Sequence, residues 1–241
     1  MSDHETFRAR RDRELSAPHG ILAQVGLHWV DPDAGGQSFD GVPGRWGLTG
    51  AALSVSGAGE ELEILEGEPG DVHRARFGRD VHIEVIRRGG RTGLRLLDPS
   101  APRRTGFSGV PTYPEDPAFV VTGTWRERPT EVTVGAAVPW LEHHLPSPGI
   151  ATLEIAGVLV ELVLTGESSI LFTDETSGST SADWRVVEAE LDGGSIRVDF
   201  HRAVNFPAAF SAWATCPRPP SGNHIPVPIR AGERRVERTE R

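Results

Sequence analysis

Turn-forming residues interrupt this sequence about every eight to twelve residues, and this spacing constrains the fold more than any other feature. Between the turns lie short runs in which apolar and polar residues alternate, as in half-buried β-strands. Ala156-Gly157 and Asp192-Gly193-Gly194 each separate two such runs, which predicts a tight hairpin at both points. The pattern shows no alternation of strand and helix units, so a doubly wound fold or a helix-wrapped barrel is not expected.

The alternating runs give the positions of the expected strands. Glu154 and Glu161 should face outward from the first of the two hairpins. We predict at least about ten such strands in this chain, arranged as a barrel or as two packed sheets. The predicted strands cover residues 51–55, 61–65, 72–77, 81–87, 92–97, 119–125, 131–134, 150–155, 158–164, 169–173, 183–191 and 195–200.

A helix is predicted over residues 2–15, because Ser2 and Glu5 have the spacing of a capping box and Pro18 prevents its continuation. It has few apolar residues and should lie on the surface. The sequence therefore predicts a mostly β protein, a single-domain antiparallel β-barrel or two-sheet sandwich with a short N-terminal helix. Residues 1–18 form the helix and a linker, residues 19–233 the β domain, and residues 234–241 a charged, frayed tail.

Charge and composition exclude several classes of function. The net charge of −9 provides no basic field for nucleic acid or an acidic lipid surface. All 25 basic residues are arginine, which excludes Schiff-base chemistry, pyridoxal phosphate attachment and a phosphate-loop lysine. The longest apolar stretch, residues 150–164, is too short and too charged to span a bilayer. The single cysteine, Cys216, favours a reducing compartment and is expected to be a small buried hydrophobe. We therefore expect a cytoplasmic, bacterial protein with neither nucleic acid nor membrane as a partner.

No residue spacing predicts a metal or a cofactor. A zinc site needs three or four ligands, and the sequence has neither His-Glu-x-x-His nor a cysteine pair. A Gly-x-Ser-x-Gly elbow is also absent from it. The fold could gather His28, His201 and His224, but their spacing does not favour this. His143 and His144 are interpreted as surface residues of a loop. The expectation is that no cofactor is bound.

A dense block of polar residues follows the last alternating run. Side chains at i and i+2 of an extended chain share a face, so Arg197, Asp199 and His201 should lie together. Histidine exchanges protons near neutral pH because its unperturbed pKa is about 6.5. We therefore predict His201 as a general acid–base and Asp199 as the group that orients it. Since Cα atoms at this spacing are roughly 6–7 Å apart, direct contact needs a bend at Phe200 or a bridging water. A solvated ladder of charges is the alternative.

Other polar and aromatic residues are candidates for binding a small ligand. Trp29 and Trp213 are included because each borders a polar block. Asp174 has a second interpretation, in which its carboxylate holds a turn by accepting from nearby amides. The candidate ligand-binding residues are Arg197, Arg202, Asn205, Trp29, Trp213, His224 and Asp174. Four residues of this region are expected to be internal structural partners rather than catalysts, namely Arg202, Asn205, Asn223 and Glu233.

Several blocks resemble a family of bacterial and archaeal proteins, the domain of unknown function 1684. The most specific blocks are Asp199-Phe-His-Arg-Ala-Val-Asn205, Cys216-Pro-Arg-Pro-Pro220 and Ala231-Gly-Glu233. The similarity spans residues 20–233 and includes Gly26-Leu-His-Trp-Val30, Gly93-Leu-Arg-Leu-Leu-Asp-Pro-Ser100 and Phe172-Thr-Asp-Glu-Thr176. The resemblance implies a mostly β fold with its functional centre in the C-terminal block, and it implies no particular reaction.

The sequence departs from the family pattern within that block. Where the family has Asp-Phe-Asn-Arg-Ala-Tyr-Asn-Pro, this chain carries His201, Val204 and Phe206, and Ala208 replaces a cysteine. These departures suggest a specialised member, such as a biosynthetic enzyme, that acts on a small organic ligand in a barrel cavity. A non-catalytic binding protein for a small apolar or anionic ligand is the second hypothesis. A scaffold or homo-oligomerisation module is the third.

Overall fold

The computed structural model describes residues 3–68 and 70–236, in a chain with 51% strand and 14% helix. The predicted mostly β class is confirmed, with a nearly closed barrel and further antiparallel sheets. The chain divides into two compact units, one made of Met1–Asp12 with Ser108–Arg241 and the other of Arg13–Phe107. Whether residues 19–233 form one domain stays a prediction, since compactness does not test independent folding. Of the predicted tail, residues 237–241 lie outside the described residues.

The predicted N-terminal helix is confirmed as α1, Asp3–Leu15. Its first turn carries Asp3 and Glu5 and its last turn Arg13, so its charges complement the helix dipole. Ser2, the predicted cap, lies outside the described residues. Within the part of the chain that the structure describes, every helix is too short or too polar to span a bilayer.

The unit Arg13–Phe107 consists of two antiparallel sheets and a short helix, α2, Pro102–Thr105. A five-stranded sheet has the order β1-β8-β7-β6-β5, and a three-stranded sheet the order β2-β3-β4. Trp46, Ile83 and Leu94 are fully buried in its core. The strands are β1 Gln24–Val30, β2 Gln37–Phe39, β3 Val42–Thr49, β4 Ala52–Ser56, β5 Leu62–Glu68, β6 Asp71–Phe77, β7 Val81–Arg88 and β8 Arg91–Leu97.

The other unit contains an eight-stranded sheet with its own core, which includes Leu153, Phe172 and Phe200. Its order is β11-β10-β9-β14-β13-β12-β16, and β15 also pairs with β13. With β1–β8, the described residues form sixteen strands, in agreement with the prediction of at least about ten. The strands of this sheet are β9 Val120–Gly135, β10 Glu142–Ile155, β11 Val158–Val163, β12 Ser169–Asp174, β13 Arg185–Asp192, β14 Ser195–Asp199, β15 Val204–Asn205 and β16 His224–Ile225.

Both predicted hairpins are present. Ala156 and Gly157 have φ of 50° and 79°, as a type I′ turn requires, and they join β10 to β11. Asp192 pairs with Ser195 across the turn between β13 and β14. Glu154 and Glu161 are exposed, as predicted.

Asn223 joins two strands that stand far apart in the order of the eight-stranded sheet. Its Oδ1 accepts from the Val163 N–H at 2.8 Å, and its Nδ2 donates to the carbonyls of Val163 and Leu171, each at 2.8 Å. Val163 ends β11 at one edge, whereas Leu171 lies in β12, next to the opposite edge. The side-chain amide therefore replaces a missing rung of backbone pairing and brings the sheet close to a closed barrel.

The prediction of a loop around His143 and His144 is wrong. Both residues lie in β10, where they pair with Val134 and Thr133 of β9. Pro146 and Pro148 made a strand unlikely from the sequence, since proline in a sheet is usually confined to edge strands and bulges. The register shifts between Ser147 and Gly149, which places Pro148 at a bulge. The strands β1, β2, β3, β15 and β16 are additional to the predicted set.

Candidate functional site

The predicted pair Asp199 and His201 lies where β14 ends. A turn of 3-10 helix, Phe200–Arg202, follows directly and bends the chain at Phe200. Asp199 Oδ1 accepts from the His201 backbone N–H at 3.1 Å and lies 2.8 Å from His201 Nδ1. The bend therefore provides direct contact without a bridging water. Arg197 stands two residues before Asp199 in β14, but its ion pair is made elsewhere. It is partly exposed and pairs with Glu190 at 3.0 Å.

Both ring nitrogens of His201 are occupied. The backbone N–H of Asp116 donates to Nε2 at 2.9 Å, so this nitrogen carries a lone pair and no proton. The proton of the neutral ring must then lie on Nδ1, facing Asp199. The residue is only 4% exposed. This geometry favours a fixed tautomer and a positioning role for His201, since neither nitrogen is available to a substrate.

The second oxygen of Asp199 holds a histidine that sequence reasoning did not single out. His4 Nε2 lies 2.7 Å from Asp199 Oδ2, and His4 Nδ1 lies 3.2 Å from Glu115 Oε2. Carboxylates only accept, so both nitrogens of His4 must be protonated. The hydrogen bond to Asp199 raises the pKa of His4, against the opposing effect of burial. His4 is therefore an imidazolium, and its side chain is 21% exposed.

Asp199 remains ionised within this group. Burial acts to raise its pKa, but the hydrogen bonds from His4 and His201 outweigh it, and the pKa is lowered. Asp199 thus fixes one neutral and one charged histidine with its two oxygens. We call His4, Glu115, Asp199 and His201 the His4 cluster.

A guanidinium with unsatisfied donors lies beside the His4 cluster. Arg8 Nη2 is 3.8 Å from Glu115 Oε1, too far for a hydrogen bond. Its Nε and Nη2 atoms are buried and have no hydrogen-bond partner among the described residues. Glu115 is about half exposed, so its carboxylate occupies a solvent-accessible position between two cations. A carboxylate or phosphate in the position of Glu115 would have the same two cations, His4 and Arg8, as partners.

Helical spacing was the signal that could have revealed this arrangement. His4, Arg8 and Arg11 stand at i, i+4 and i+7 and therefore share one face of α1. Arg11 Nε donates to Glu233 Oε1 at 3.0 Å. Polar residues thus occupy the inward stripe of α1, where apolar residues are usual.

Arg202 lies at the border of the His4 cluster. Its guanidinium pairs with Asp3, lies 3.7 Å from Asp199 Oδ2 and covers the ring of Phe7. Its side chain is 34% exposed, so among the predicted ligand-binding residues it is the one that the structure brings to the cluster.

Asn205 belongs to a second, buried group. Its backbone N–H donates to Glu233 Oε2 at 2.6 Å, and its carbonyl accepts from Arg11 Nη2 at 2.7 Å. Burial raises the pKa of Glu233, against the effect of Arg11. Gly232, the residue before Glu233, has φ of +74°, and a Cβ there would lie 2.5 Å from the Ala203 carbonyl oxygen. Glycine in the Ala-Gly-Glu sequence therefore allows the two backbone segments to pack closely.

Asp174 belongs to a third group, centred on the fully buried Arg185. Arg185 Nη2 donates to Asp174 Oδ2 at 2.9 Å and to the Ile229 carbonyl at 2.8 Å, and Nη1 donates to the Ala231 carbonyl at 2.5 Å. Asp174 Oδ1 accepts from the backbone N–H of Thr176 at 2.7 Å and from its hydroxyl at 2.6 Å. Asp174 therefore both holds a turn and neutralises a buried cation.

The remaining candidates lie elsewhere. His224 is exposed and contacts Thr173 and Glu175, and Trp213 is half-buried. Trp29 lies in β1, in the unit Arg13–Phe107. His28 lies in the same strand, so the three-histidine alternative finds no support in these contacts.

Comparison with known proteins places the chain in a family. No curated protein matches it. A similar solved structure is the solution NMR structure of an uncharacterised protein from Haloarcula marismortui, which is 23% identical with a TM-score of 0.46, over 55% of this chain and 79% of that one. The family of proteins of unknown function DUF1684 matches residues 105–234, more than half of the chain. As the resemblance predicted, the chain belongs to the DUF1684 family.

Proposed function

We propose that the protein is an enzyme that binds a small organic anion and donates a proton to it from His4. One observation carries this proposal. His4 is held through one nitrogen by the buried Asp199, while its other N–H points to an exposed carboxylate beside the unsatisfied donors of Arg8. A carboxylate that orients a histidine, whose second nitrogen faces an accessible position, is the arrangement that acid–base catalysis requires.

The proposed step follows from the positions of the protons. A substrate oxygen that displaces Glu115 would accept the Nδ1 proton of His4. His4 would then be neutral, with its remaining proton on Nε2 toward Asp199. Its raised pKa favours the role of a proton donor over that of a base. Solvent returns the proton after the product leaves.

Anion recognition in this proposal rests on two positively charged side chains, Arg8 and Arg202, and on the Arg8 donors that have no hydrogen-bond partner among the described residues. Arg8 Nε and Nη2 would gain hydrogen bonds from a carboxylate or phosphate that takes the place of Glu115. Arg202 adds a second, partly exposed cation near Asp199. Such a substrate is a small, soluble acid, and we infer that the protein acts on it in the cytoplasm, where Cys216 stays reduced.

Binding is tested by titrating small carboxylates and phosphates into four proteins, monitored by thermal shift and calorimetry. Glu115→Gln removes the internal competitor and should bind the anion more tightly than the wild type. His4→Gln and Arg8→Gln each remove a charged donor and should weaken binding about tenfold or more. The matched control is Glu131→Gln, because Glu131 lies 3.6 Å from the exposed His144 in a similar pair outside the cluster. A Glu115→Gln protein that binds no anion better than the Glu131→Gln control would overturn the proposed site.

Proton transfer is tested on the anions that bind. Each is incubated with the protein in D₂O, and ¹H NMR follows deuterium incorporation or product formation. His4→Gln should lower the rate by roughly 10²-fold or more, with binding weakened far less. If the anion binds at the His4 cluster and neither exchanges nor reacts, the protein is a non-catalytic anion-binding protein and the enzymatic part of the proposal is refuted.

A further inference from the structure

The unit Arg13–Phe107 holds a second group of histidines, unrelated to the proposed acid–base chemistry. His19, Asp80 and His82 present ligand atoms that all lie within 4.8 Å of one another. We propose that these three residues form a binding site for a divalent transition-metal ion such as Zn²⁺ or Co²⁺. Two imidazoles and one carboxylate are a donor set that suits these ions, with solvent completing the coordination.

Both rings lie against Asp80. His82 Nε2 lies 3.2 Å from Asp80 Oδ1, whereas His19 Nε2 donates to the Asp80 main-chain carbonyl at 3.0 Å and lies 3.5 Å from Asp80 Oδ2. The rings stack with centroids 3.4 Å apart and an interplanar angle of 6°. Imidazole binds a metal through the lone pair of a ring nitrogen, so the position of the proton on each ring matters.

Tautomers decide whether the rings can take a metal. With no metal bound, each Nε2 atom faces an oxygen of Asp80, so each ring carries its proton there. Neither Nδ1 atom has a hydrogen-bond partner among the described residues. The proton can therefore move to Nδ1, which frees the Nε2 lone pair for an ion. Each ring must also turn about its Cβ–Cγ bond, because lone pairs of stacked rings are parallel and do not converge.

The same reasoning excludes the His4 cluster as the metal site. Its ligand atoms are equally close, but His201 Nε2 already accepts from the Asp116 backbone N–H. A metal on His201 Nδ1 would require a proton on Nε2, which would then face another N–H donor. That tautomer is disfavoured by the loss of a buried hydrogen bond.

The surroundings of Asp80 favour a cation. The charged residues that line an open cleft of about 320 Å³ here are mostly acidic, namely Glu60, Glu61, Glu63 and Asp80, with Arg76 as the one cation. The side chains of His19, His82 and Asp80 are 23%, 17% and 47% exposed, so an ion can reach them from solvent. Arg76 Nη1 lies 3.6 Å from Asp80 Oδ1 and is the local competitor for this carboxylate.

The test is equilibrium dialysis of the tag-free, chelator-treated full chain against Zn²⁺ or Co²⁺, with metal measured by elemental analysis and Co²⁺ coordination by visible absorption. We expect about one equivalent of metal per chain. His19→Gln, His82→Gln and Asp80→Asn should each lower the affinity at least about tenfold. Asp80 has φ of 71°, a backbone conformation that asparagine also tolerates, so this variant should fold. Arg76→Gln should raise the affinity.

The matched control is His73→Gln. His73 lies 3.0 Å from Asp71 in the same i, i+2 arrangement as His82 and Asp80, but without a second imidazole. It should bind metal like the wild type. The proposal fails if the wild type binds no metal, if the His19 and His82 variants retain wild-type affinity, or if His73→Gln is weakened as much as they are. Circular dichroism of each variant separates loss of metal from loss of fold.

Discussion

His4 and His201 share a single carboxylate and yet hold different numbers of protons. His201 carries one proton, because the backbone N–H of Asp116 donates to its Nε2. His4 carries two, because Glu115 and Asp199 each accept from one of its nitrogens. A residue-type argument from the sequence could not separate these roles, because the deciding partners are a main-chain amide and a side chain from a distant segment. The accessible nitrogen therefore belongs to His4, 195 residues away from Asp199.

The tautomer of His201 is directly measurable. We expect its Nδ1 to carry the proton and its Nε2 to be unprotonated, as the Asp116 contact requires. Two-bond ¹H–¹⁵N correlation spectra of labelled protein near pH 7 distinguish the two nitrogens. A proton on Nε2, or an averaged pattern typical of exchanging tautomers, would contradict the positioning role.

The pH dependence of stability should report the His4–Asp199 pair. The raised pKa of His4 means that its contribution is complete below the unfolded value of 6.5 and is lost as the pH rises through the folded value. The lowered pKa of Asp199 acts oppositely, so its contribution is present above 3.8 and is lost as the pH falls through the folded value. Both contributions are complete between these unfolded values.

Urea unfolding of wild type and His4→Gln at several pH values isolates this effect. The stability difference between the two proteins should be largest between about pH 4 and 6.5 and should shrink toward higher pH. Histidines elsewhere titrate in both proteins and cancel in the difference. A difference that is constant from pH 5 to about pH 9 would show that folding does not raise the pKa of His4.

Among the elements, the hairpins were predictable and the ends of strands were less so. Ala156-Gly157 specifies a type I′ turn by local backbone preference, which no distant contact needs to supply. In contrast, β16 covers only His224–Ile225 and exists because it pairs in parallel with β12. The end of β14 at Asp199 also escaped the alternation rule, since a 3-10 turn replaced the next extended residues.

Asn223 should control the closure of the eight-stranded sheet. Asn223→Ala leaves the Val163 N–H and two carbonyls without their partner, which should cost at least about 2 kcal/mol in the free energy of unfolding. The neighbouring His224→Ala, an exposed change, should stay within about 0.5 kcal/mol. Urea unfolding gives both values, and hydrogen exchange should show lost protection at the Val163 amide. Unchanged protection there would mean that closure does not depend on Asn223.

For the whole chain, the sequence indicated the β class but not the internal charge that holds the C-terminal run. Arg185 has the same parity along β13 as Val187 and Ala189, which are both buried. The alternation therefore placed a guanidinium on the inward face, a signal that could have been used. Its partners could not be inferred, because the carbonyls of Ile229 and Ala231 belong to irregular chain about 45 residues later.

Arg185→Met should be the most destabilising of these substitutions, because it keeps the side-chain volume but leaves the buried carboxylate of Asp174 without its cation. The expected loss in the free energy of unfolding is about 3–5 kcal/mol. The matched control is Arg197→Met in the adjacent β14, where the partner Glu190 is exposed and the loss should stay within about 1 kcal/mol.

A double-mutant cycle separates loss of the charge pair from loss of the carbonyl contacts. Asp174→Asn removes the unpaired carboxylate and keeps an oxygen for Thr176, so it should be less harmful in the Arg185→Met background than in the wild type. If the two losses add without coupling, the role of Arg185 would lie in its bonds to the carbonyls of Ile229 and Ala231 rather than in the ion pair. An Arg185→Met protein as stable as the Arg197→Met control would refute both roles.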